Sequence, residues 1–308
     1  MPIFGRGLKA SETGACLVQS MVDAHMADAG GAAIEVANMG YAWKDGTPAL
    51  QGVSMVLPAG CRSIIVGANG AGKTCLLRCI GGMYKYDGSV KVQGEEAYVV
   101  NTLGNSGAVE VICGTNIWRK GNCTIVGERW QPNGNSSVAT MLGLLDGWSC
   151  ERRDMICDRF GIDLDWKVNQ LSDGKKRRVQ LLLAFILPSE LLLLDEVTTD
   201  LDVLARQSLL EFLKEENQRR GVTVLFSTHI FDGLEEWGTH VTYVRDGSVM
   251  TNTELAGMAE LEPFKAQGSL TPLFHFVEAT VRKDSETARA AGRKSTRGQA
   301  LPSMIAAN

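Results

Sequence analysis

Gly67-Ala68-Asn69-Gly70-Ala71-Gly72-Lys73-Thr74 follows the spacing GxxxxGK[ST]. Glycines at these positions let a backbone wrap a phosphate without Cβ clashes and turn its N–H groups inward. A helix starting at the end of such a loop points its positive end at the same anion. In this pattern Lys73 places a cation on the β- and γ-phosphates, and Thr74 offers a hydroxyl ligand to Mg²⁺. A Gly-rich turn with one surface lysine is the plainer reading of the same residues. The flanks argue against it. Residues 63–66 form a short, apolar strand feeding the loop, and residues 73–81 leave it as a helix with Leu76, Leu77 and Ile80 apolar.

Outward from the loop, strands and helices alternate. Residues 33–36, 52–57, 89–92 and 97–100 read as strands, and residues 138–169 as mostly helical by period. In 179–187, Val179, Leu182, Leu183 and Ile186 have the i, i+3, i+4, i+7 spacing of a helix face. Residues 191–194 and 222–226 read as buried parallel strands, with a helix over 201–218 between them. Uniformly apolar strands alternating with helices imply a parallel sheet covered on both faces.

Leu191-Leu192-Leu193-Leu194-Asp195-Glu196 is a buried strand ending in two acids. Its end lies at the carboxyl edge of the sheet, where ligands of open α/β sheets bind. Asp195 is then a candidate metal-holding carboxylate, and Glu196 a candidate to polarise an attacking water. Acids favoured at a helix start are the competing explanation. Further back, Leu171-Ser172-Asp173-Gly174-Lys175 precedes a helix from Lys176, with Ser172 suited to cap it. Lys175, Lys176, Arg177 and Arg178 put four cations around its first turn, against the helix dipole. Either a docked anion offsets that cost, or the turn is simply solvated.

The chain has 308 residues, 44% of them hydrophobic, which is enough for a sizeable core and rules out wholesale disorder. Lys plus Arg is 31 against 35 Asp plus Glu, a net charge of −4, which argues against sequence-independent coating of nucleic acid. No run approaches the ~20 apolar residues of a spanning helix; residues 179–194 are broken by Gln180, Pro188, Ser189 and Glu190. No secretory signal is read at the N-terminus. The eight cysteines include no CxxC pair. Cys75 and Cys79, one helical turn apart, read as small core residues of a reduced compartment rather than a metal pair. The tail after Val281 is polar and basic, with Arg282, Lys283, Arg289, Arg293, Lys294 and Arg297, and reads as disordered. A solubilising end and a nucleic-acid or partner contact both fit it.

The phosphate loop, LSDGK at 171–175, LLLLDE at 191–196 and Ser227-Thr228-His229 together resemble, in that order, the ATPase domain of ABC proteins over roughly residues 33–251. The resemblance implies an α/β fold: a P-loop NTPase (RecA-like) ABC ATPase domain with an antiparallel β-subdomain and a helical signature subdomain. It implies a variable leader over 1–32 and an ATPase domain over 33–265 with its helical part at about 131–178. A largely disordered extension over 266–308 follows. By the same resemblance Trp43 stacks on adenine, with Tyr41 the weaker candidate. Gly67, Ala68, Asn69, Gly70, Ala71, Gly72, Lys73, Thr74 and Cys75 cradle ATP. Ser172, Asp173, Gly174 and Lys175 contact the nucleotide held by a second subunit. Asp195 and Thr74 hold Mg²⁺, Glu196 is the catalytic base, Asp202 belongs to the D-loop, and His229 senses the γ-phosphate.

The sequence also departs from the family pattern. No Gln stands in the metal-contacting loop, where Glu128 is the nearest equivalent; Asp173 and Lys175 replace the common Gly and Gln, and Val197 the usual Pro. Residues 177–181, 195–203 and 228–234 resemble a subgroup of single-domain ABC proteins. That subgroup includes a fungal factor associated with the CCR–NOT complex and plant subfamily I proteins. The implied function is an ATP hydrolase acting as an ATP-closed homodimer, coupled to a cytoplasmic or nuclear partner such as CCR–NOT in gene-expression regulation. The alternatives are the ATP-binding subunit of a transporter with a separate membrane chain, and a module that holds ATP and hardly hydrolyses it. Intact Lys73, Asp195, Glu196 and His229 count against the last.

Overall fold

The computed structural model describes residues 31–98, 110–111, 115–127, 129–132 and 134–290. Two sheets organise them. The smaller has the strand order β2-β1-β4-β5, built from β1 (Ala32–Ala42), β2 (Pro48–Pro58), β4 (Asp87–Val92) and β5 (Glu95–Glu96), paired antiparallel. The larger has the order β12-β11-β3-β10-β9-β8-β7-β6. Its centre is parallel: β3 (Arg62–Val66), β8 (Cys123–Val126), β9 (Leu191–Asp195), β10 (Thr223–Ser227) and β11 (His240–Arg245). Antiparallel strands flank it, β12 (Ser248–Glu254) on one side and β7 (Ile117–Lys120) with β6 (Glu110–Val111) on the other. The expected α/β class with an antiparallel subdomain is the observed architecture.

Alternation along the central strands explains why both faces are covered. Ile65, Leu191, Leu193 and Leu225 face α1 (Lys73–Ile80), which lies between the two sheets with Leu76, Leu77, Cys79 and Ile80 buried. The neighbouring residues Ile64, Val66, Leu192, Leu194, Val224 and Phe226 join the other core. Each such aliphatic side chain contributes about 1.5–3 kcal/mol through burial, so a one-residue slip of any central strand would exchange two cores at once. Cys75 and Cys79 sit in the α1 core as small buried residues.

The second core packs α2 (Val138–Leu142), α3 (Cys150–Phe160), α4 (Asp173–Phe185) and α5 (Val203–Arg220) on the sheet. Ser137, Ser149, Ser172 and Asp202 cap these four helices with their side chains. A short α6 (Leu234–Trp237), α7 (Glu262–Ala266) and α8 (Pro272–Ala290) complete the described chain. No helix among the described residues is long and apolar enough to cross a membrane.

Four expectations need correction. Residues 138–169 form two helices, because Gly143 ends α2 and the chain turns before Ser149. Helix α4 begins at Asp173, three residues before the expected start. Residues 97 and 98 are outside any strand, and β5 lies just before them; residues 99 and 100 lie outside the described residues. The expected disorder after Val281 fails for residues 282–290, which continue α8. Leu273 and Val277 bury into the main core, Phe276 and Val281 pack against it, and Asp284 pairs with Arg245 at 2.8 Å and accepts from Tyr243 Oη at 2.5 Å. The polar segment rides on an anchored helix. Residues 1–30 and 291–308 lie outside the described residues.

Candidate functional site

The carboxyl ends of β3, β10 and β9 lie side by side in the large sheet, with Ile65 and Asp195 both opposite Ser227. The loop after β3, the two residues after β10 and the acids ending β9 therefore converge on one edge. The loop is glycine-dependent. Gly67 has φ +152°, and a Cβ there would sit 2.2 Å from the Val244 carbonyl oxygen. Gly70 and Gly72 also have positive φ, +80° and +110°. Gly72 opens α1 with no side-chain cap, which leaves the N–H groups of the first turn facing the loop.

Lys73 is buried, and its Nζ donates to the carbonyls of Gly67 at 2.8 Å and Ala68 at 3.1 Å. The ammonium is thus held across the mouth of the loop. Burial pushes its pKa down, and the carboxylates of Glu196 and Asp195 pull it back. Thr74 Oγ1 donates to Asp195 Oδ2 at 2.7 Å. Asp195 Oδ1 is buried and has no partner among the described residues. A hydroxyl beside a carboxylate with one oxygen left over is a donor set suited to a hard divalent cation such as Mg²⁺.

Glu196 carries a signal that sequence reading missed. Its φ is +52°, an uncommon conformation for a residue with a side chain. Its N–H donates to the Ser227 carbonyl at 2.9 Å, which ties it to the end of β10. His229 follows two residues later, and its Nδ1 lies 2.8 Å from Glu196 Oε2. Backbone strain of this kind persists where the surroundings over-determine a geometry, and it concentrates at functional sites.

Trp43 is about 43% exposed at the β1–β2 turn and packs edge-on against Tyr41 and Tyr84. The antiparallel register pairs Tyr41 with Leu50, and a Cβ on Gly72 would lie 3.0 Å from the Leu50 side chain, so this aromatic cluster borders the phosphate loop. Tyr41 is already stacked on Tyr84 at 4.8 Å, which leaves Trp43 as the more exposed ring. Cys75 is buried one residue beyond Thr74.

The signature turn is placed elsewhere. Ser172 caps α4, accepting from the Lys175 N–H. Among the described residues, no hydrogen bond or ion pair joins residues 172–175 to the phosphate loop. The four cations there all find partners within the chain. Lys175 lies 4.4 Å over the Trp166 ring and Lys176 pairs with Asp173 at 3.2 Å. Arg177 pairs with Asp200, and Arg178 with Asp202. Each of the four cations thus has a partner within the chain, while Ser172, Asp173 and Lys175 remain exposed. Asp202 also caps α5 through the Ala205 N–H at 2.8 Å. Glu128 lies outside the described residues.

The chain is similar to known proteins over most of its length. The family model described as ABC transporter matches residues 50–199. ABC transporter I family member 21 of Arabidopsis thaliana is 36% identical, over 85% of this chain and 90% of that protein. CCR4-associated factor 16 of Saccharomyces cerevisiae is 36% identical, over 72% of this chain and 78% of its own. Aliphatic sulfonates import ATP-binding protein SsuB 2 of Agrobacterium fabrum is 30% identical, over 74% and 82%. Among solved structures, cbiO1 of Clostridium perfringens superposes with a TM-score of 0.60 at 23% identity, covering 80% of this chain and 99% of its own. The ATP-binding cassette MJ0796, dimeric and bound to ADP and Pi, gives 0.61 at 22% identity, covering 73% and 100%. At these identities the two structures show the fold.

Proposed function

The chain belongs to the ABC family of ATPases, and on that premise we propose that two copies of it close on ATP. The phosphate loop of one copy then meets the signature turn of the other. One observation carries this reading. Lys73, Thr74, Asp195, Glu196 and His229 gather at one sheet edge, whereas among the described residues no hydrogen bond or ion pair joins residues 172–175 to that edge. A signature turn so placed is left to serve a second molecule's nucleotide.

In this reading the inward N–H groups of residues 67–74 and the uncapped start of α1 hold the phosphates. Cys75 continues that first turn, and Lys73 neutralises charge between the β- and γ-phosphates. Trp43 stacks on the base. Glu196 polarises the attacking water, and His229 fixes the Glu196 carboxylate through their 2.8 Å contact. Thr74 and Asp195 would hold Mg²⁺, which when bound offsets phosphate charge. The residues of 172–175 touch the triphosphate of the opposite copy, and Asp202 stabilises the start of α5 beside that interface. Phosphoryl transfer offers little covalent work, so positioning and charge stabilisation supply most of the acceleration.

The output is a cycle of closing and opening offered to a partner in the cytoplasm or nucleus. The yeast relative is named a CCR4-associated factor, and this supports a CCR–NOT-type regulatory assembly as that partner. The name of the Agrobacterium relative, an import ATP-binding protein, supports the second reading, an ATPase subunit serving a separate membrane chain. Glu196→Gln tests the common core. With ATP and Mg²⁺ it should retain nucleotide, hydrolyse at least ~100-fold more slowly and sediment as a two-chain species. Wild-type turnover, or a single chain at saturating ATP, refutes the reading. Affinity purification of that trapped form separates the partners: CCR–NOT subunits support the first, a stoichiometric multispanning protein the second.

A further inference from the structure

Arg177 and Gln180 stand one turn apart on the buried face of α4, 4% and 1% exposed. Polar groups so deeply buried need partners. Arg177 Nη1 donates to the Gly127 carbonyl at 3.1 Å and to Gln180 Oε1 at 2.7 Å, and its Nη2 lies 3.5 Å from Asp200 Oδ2. Gln180 Nε2 donates to the Thr115 carbonyl at 2.6 Å. The other oxygen of Asp200 pairs with Arg129 at 2.7 Å. One helical turn therefore grips three separate segments: the approach to β7, the exit of β8, and the turn between β9 and α5.

Two of those segments border the reacting groups. A Cβ built on Gly127 would lie 3.7 Å from Asp195 Cβ, so the glycine whose carbonyl Arg177 grips lies beside the base of the Asp195 side chain. Asp200 lies four residues beyond Glu196, and a Cβ on Gly174 would lie 3.0 Å from the Asp200 carbonyl. Helix α4 itself begins with the signature turn. Burial pushes the Arg177 guanidinium down and the Asp200 carboxylate pulls it back. A buried ion pair is expensive, and apolar residues of equal volume often serve stability as well. What they lack is the planar fork that fixes several acceptors at once.

We propose that Arg177 is a positioning residue for the ATPase reaction. It locks the signature helix, the Gly127 carbonyl and Asp200 into one rigid unit. A displacement of residues 172–175 is thereby delivered to Asp195 and Glu196 of the same chain. The link needs a packed, discrete path, and the path runs through three named contacts. This inference rests on the ATPase reading above.

Arg177→Lys tests it, since lysine keeps the charge opposite Asp200 and loses the fork. Gln180→Met removes the second arm and leaves the ion pair intact. Both are measured for stoichiometry and affinity toward a fluorescent ATP analogue, and for turnover per bound site. The expected result is binding within about twofold of wild type and turnover per bound site down about tenfold, the scale of a small misplacement of reacting groups. Turnover per bound site at the wild-type level in both variants overturns the proposal. So does a loss of turnover that is wholly accounted for by lost binding sites, the mark of a merely structural role. Wild-type turnover per chain that does not depend on protein concentration defeats the two-chain reading instead, and the per-site comparison still decides Arg177.

Discussion

Thr74 Oγ1 donates to Asp195 Oδ2 at 2.7 Å across 121 positions of sequence. The bond joins the end of the phosphate loop to the end of β9 and sets the spacing between the residues assigned to a divalent cation. Thr74→Val keeps the shape and removes the hydroxyl. Its turnover with ATP and Mg²⁺ should fall by about 100-fold, while its far-UV circular dichroism stays that of the wild type. Turnover within twofold would mean that this bond does not organise the site.

Gly67 has no room for a side chain, because a Cβ would come within 2.2 Å of the Val244 carbonyl oxygen. Gly67→Ala should lose about 2 kcal/mol of stability to backbone strain and bind a fluorescent ATP analogue at least ~10-fold more weakly. Urea denaturation and a binding titration read the two effects separately. Binding at full strength would show that the loop is not the phosphate cradle.

Trp43 and Tyr41 are distinguishable by exchange. Stacking of a base on an aromatic ring contributes about 1–3 kcal/mol. Trp43→Ala should therefore raise KM for ATP about tenfold with kcat nearly unchanged, and Trp43→Phe should restore most of it. Tyr41 is stacked on Tyr84, so Tyr41→Phe should leave KM where it was. The reverse pattern would transfer the base-stacking role to Tyr41.

Glu216 and Arg152 together join three helices. It accepts from Arg152 Nη1 and Nη2 at 3.1 and 2.7 Å and from Arg220 Nη1 at 2.7 Å, and Arg152 also donates to the Phe185 carbonyl at 2.7 Å. Burial by itself would raise the carboxyl pKa; the two guanidinium groups outweigh it and hold the group below its usual range. Protons therefore bind the unfolded chain more readily. The stabilisation is full above the unfolded carboxyl value of about 4.3 and is lost as pH falls through the lower folded value. Glu216→Leu should cost about 3 kcal/mol at pH 7, with the gap to wild type closing progressively below that range. A gap that widened in acid would contradict the assignment.

Thiol reactivity gives an inexpensive check of burial. Burial pushes Cys61, Cys79 and Cys123 up to about 12 and Cys157 to about 11. Such thiols are protonated and inert near neutrality. Cys150 is exposed at the start of α3. Among the described cysteines it should be the one labelled by a thiol reagent in the native state, as read by mass spectrometry. Prompt labelling of Cys79 would mean that the α1 core is open.

Much of the fold was legible because its central strands are uniformly apolar and its loops carry specialised residues. Leu191–Asp195 announces both a buried strand and an acidic edge. Gly67 to Thr74 announces its own conformation, since positive φ and close backbone approach demand glycine. Local period was less reliable where the partner was distant. The helix over Pro272–Ala290 is ordered by Leu273 and Val277 entering the core and by Asp284 meeting Tyr243 and Arg245. Composition reads the part of it after Val281 as a polar tail, because no local signal reports a salt bridge across 39 positions. Local period does not separate the two helices within 138–169 for a related reason: apolar residues continue through the Gly143–Gly147 turn between them.

The sequence by itself determined which chemical groups are available and in what local setting. A glycine-rich loop with Lys73 and Thr74 has few uses other than holding phosphate, and an apolar strand ending in Asp195 and Glu196 presents its acids at a sheet edge. Tertiary structure alone decided the relations between distant residues. It set Glu196 at φ +52° against His229, gave each cation from Lys175 to Arg178 an internal partner, and made Arg177 the meeting point of Gly127, Gln180 and Asp200. The reason is physical. Backbone conformation and periodicity are local properties that each residue type biases directly, whereas a buried charge is satisfied by whichever groups the packed chain brings within about 3 Å, and those groups lie far away in sequence.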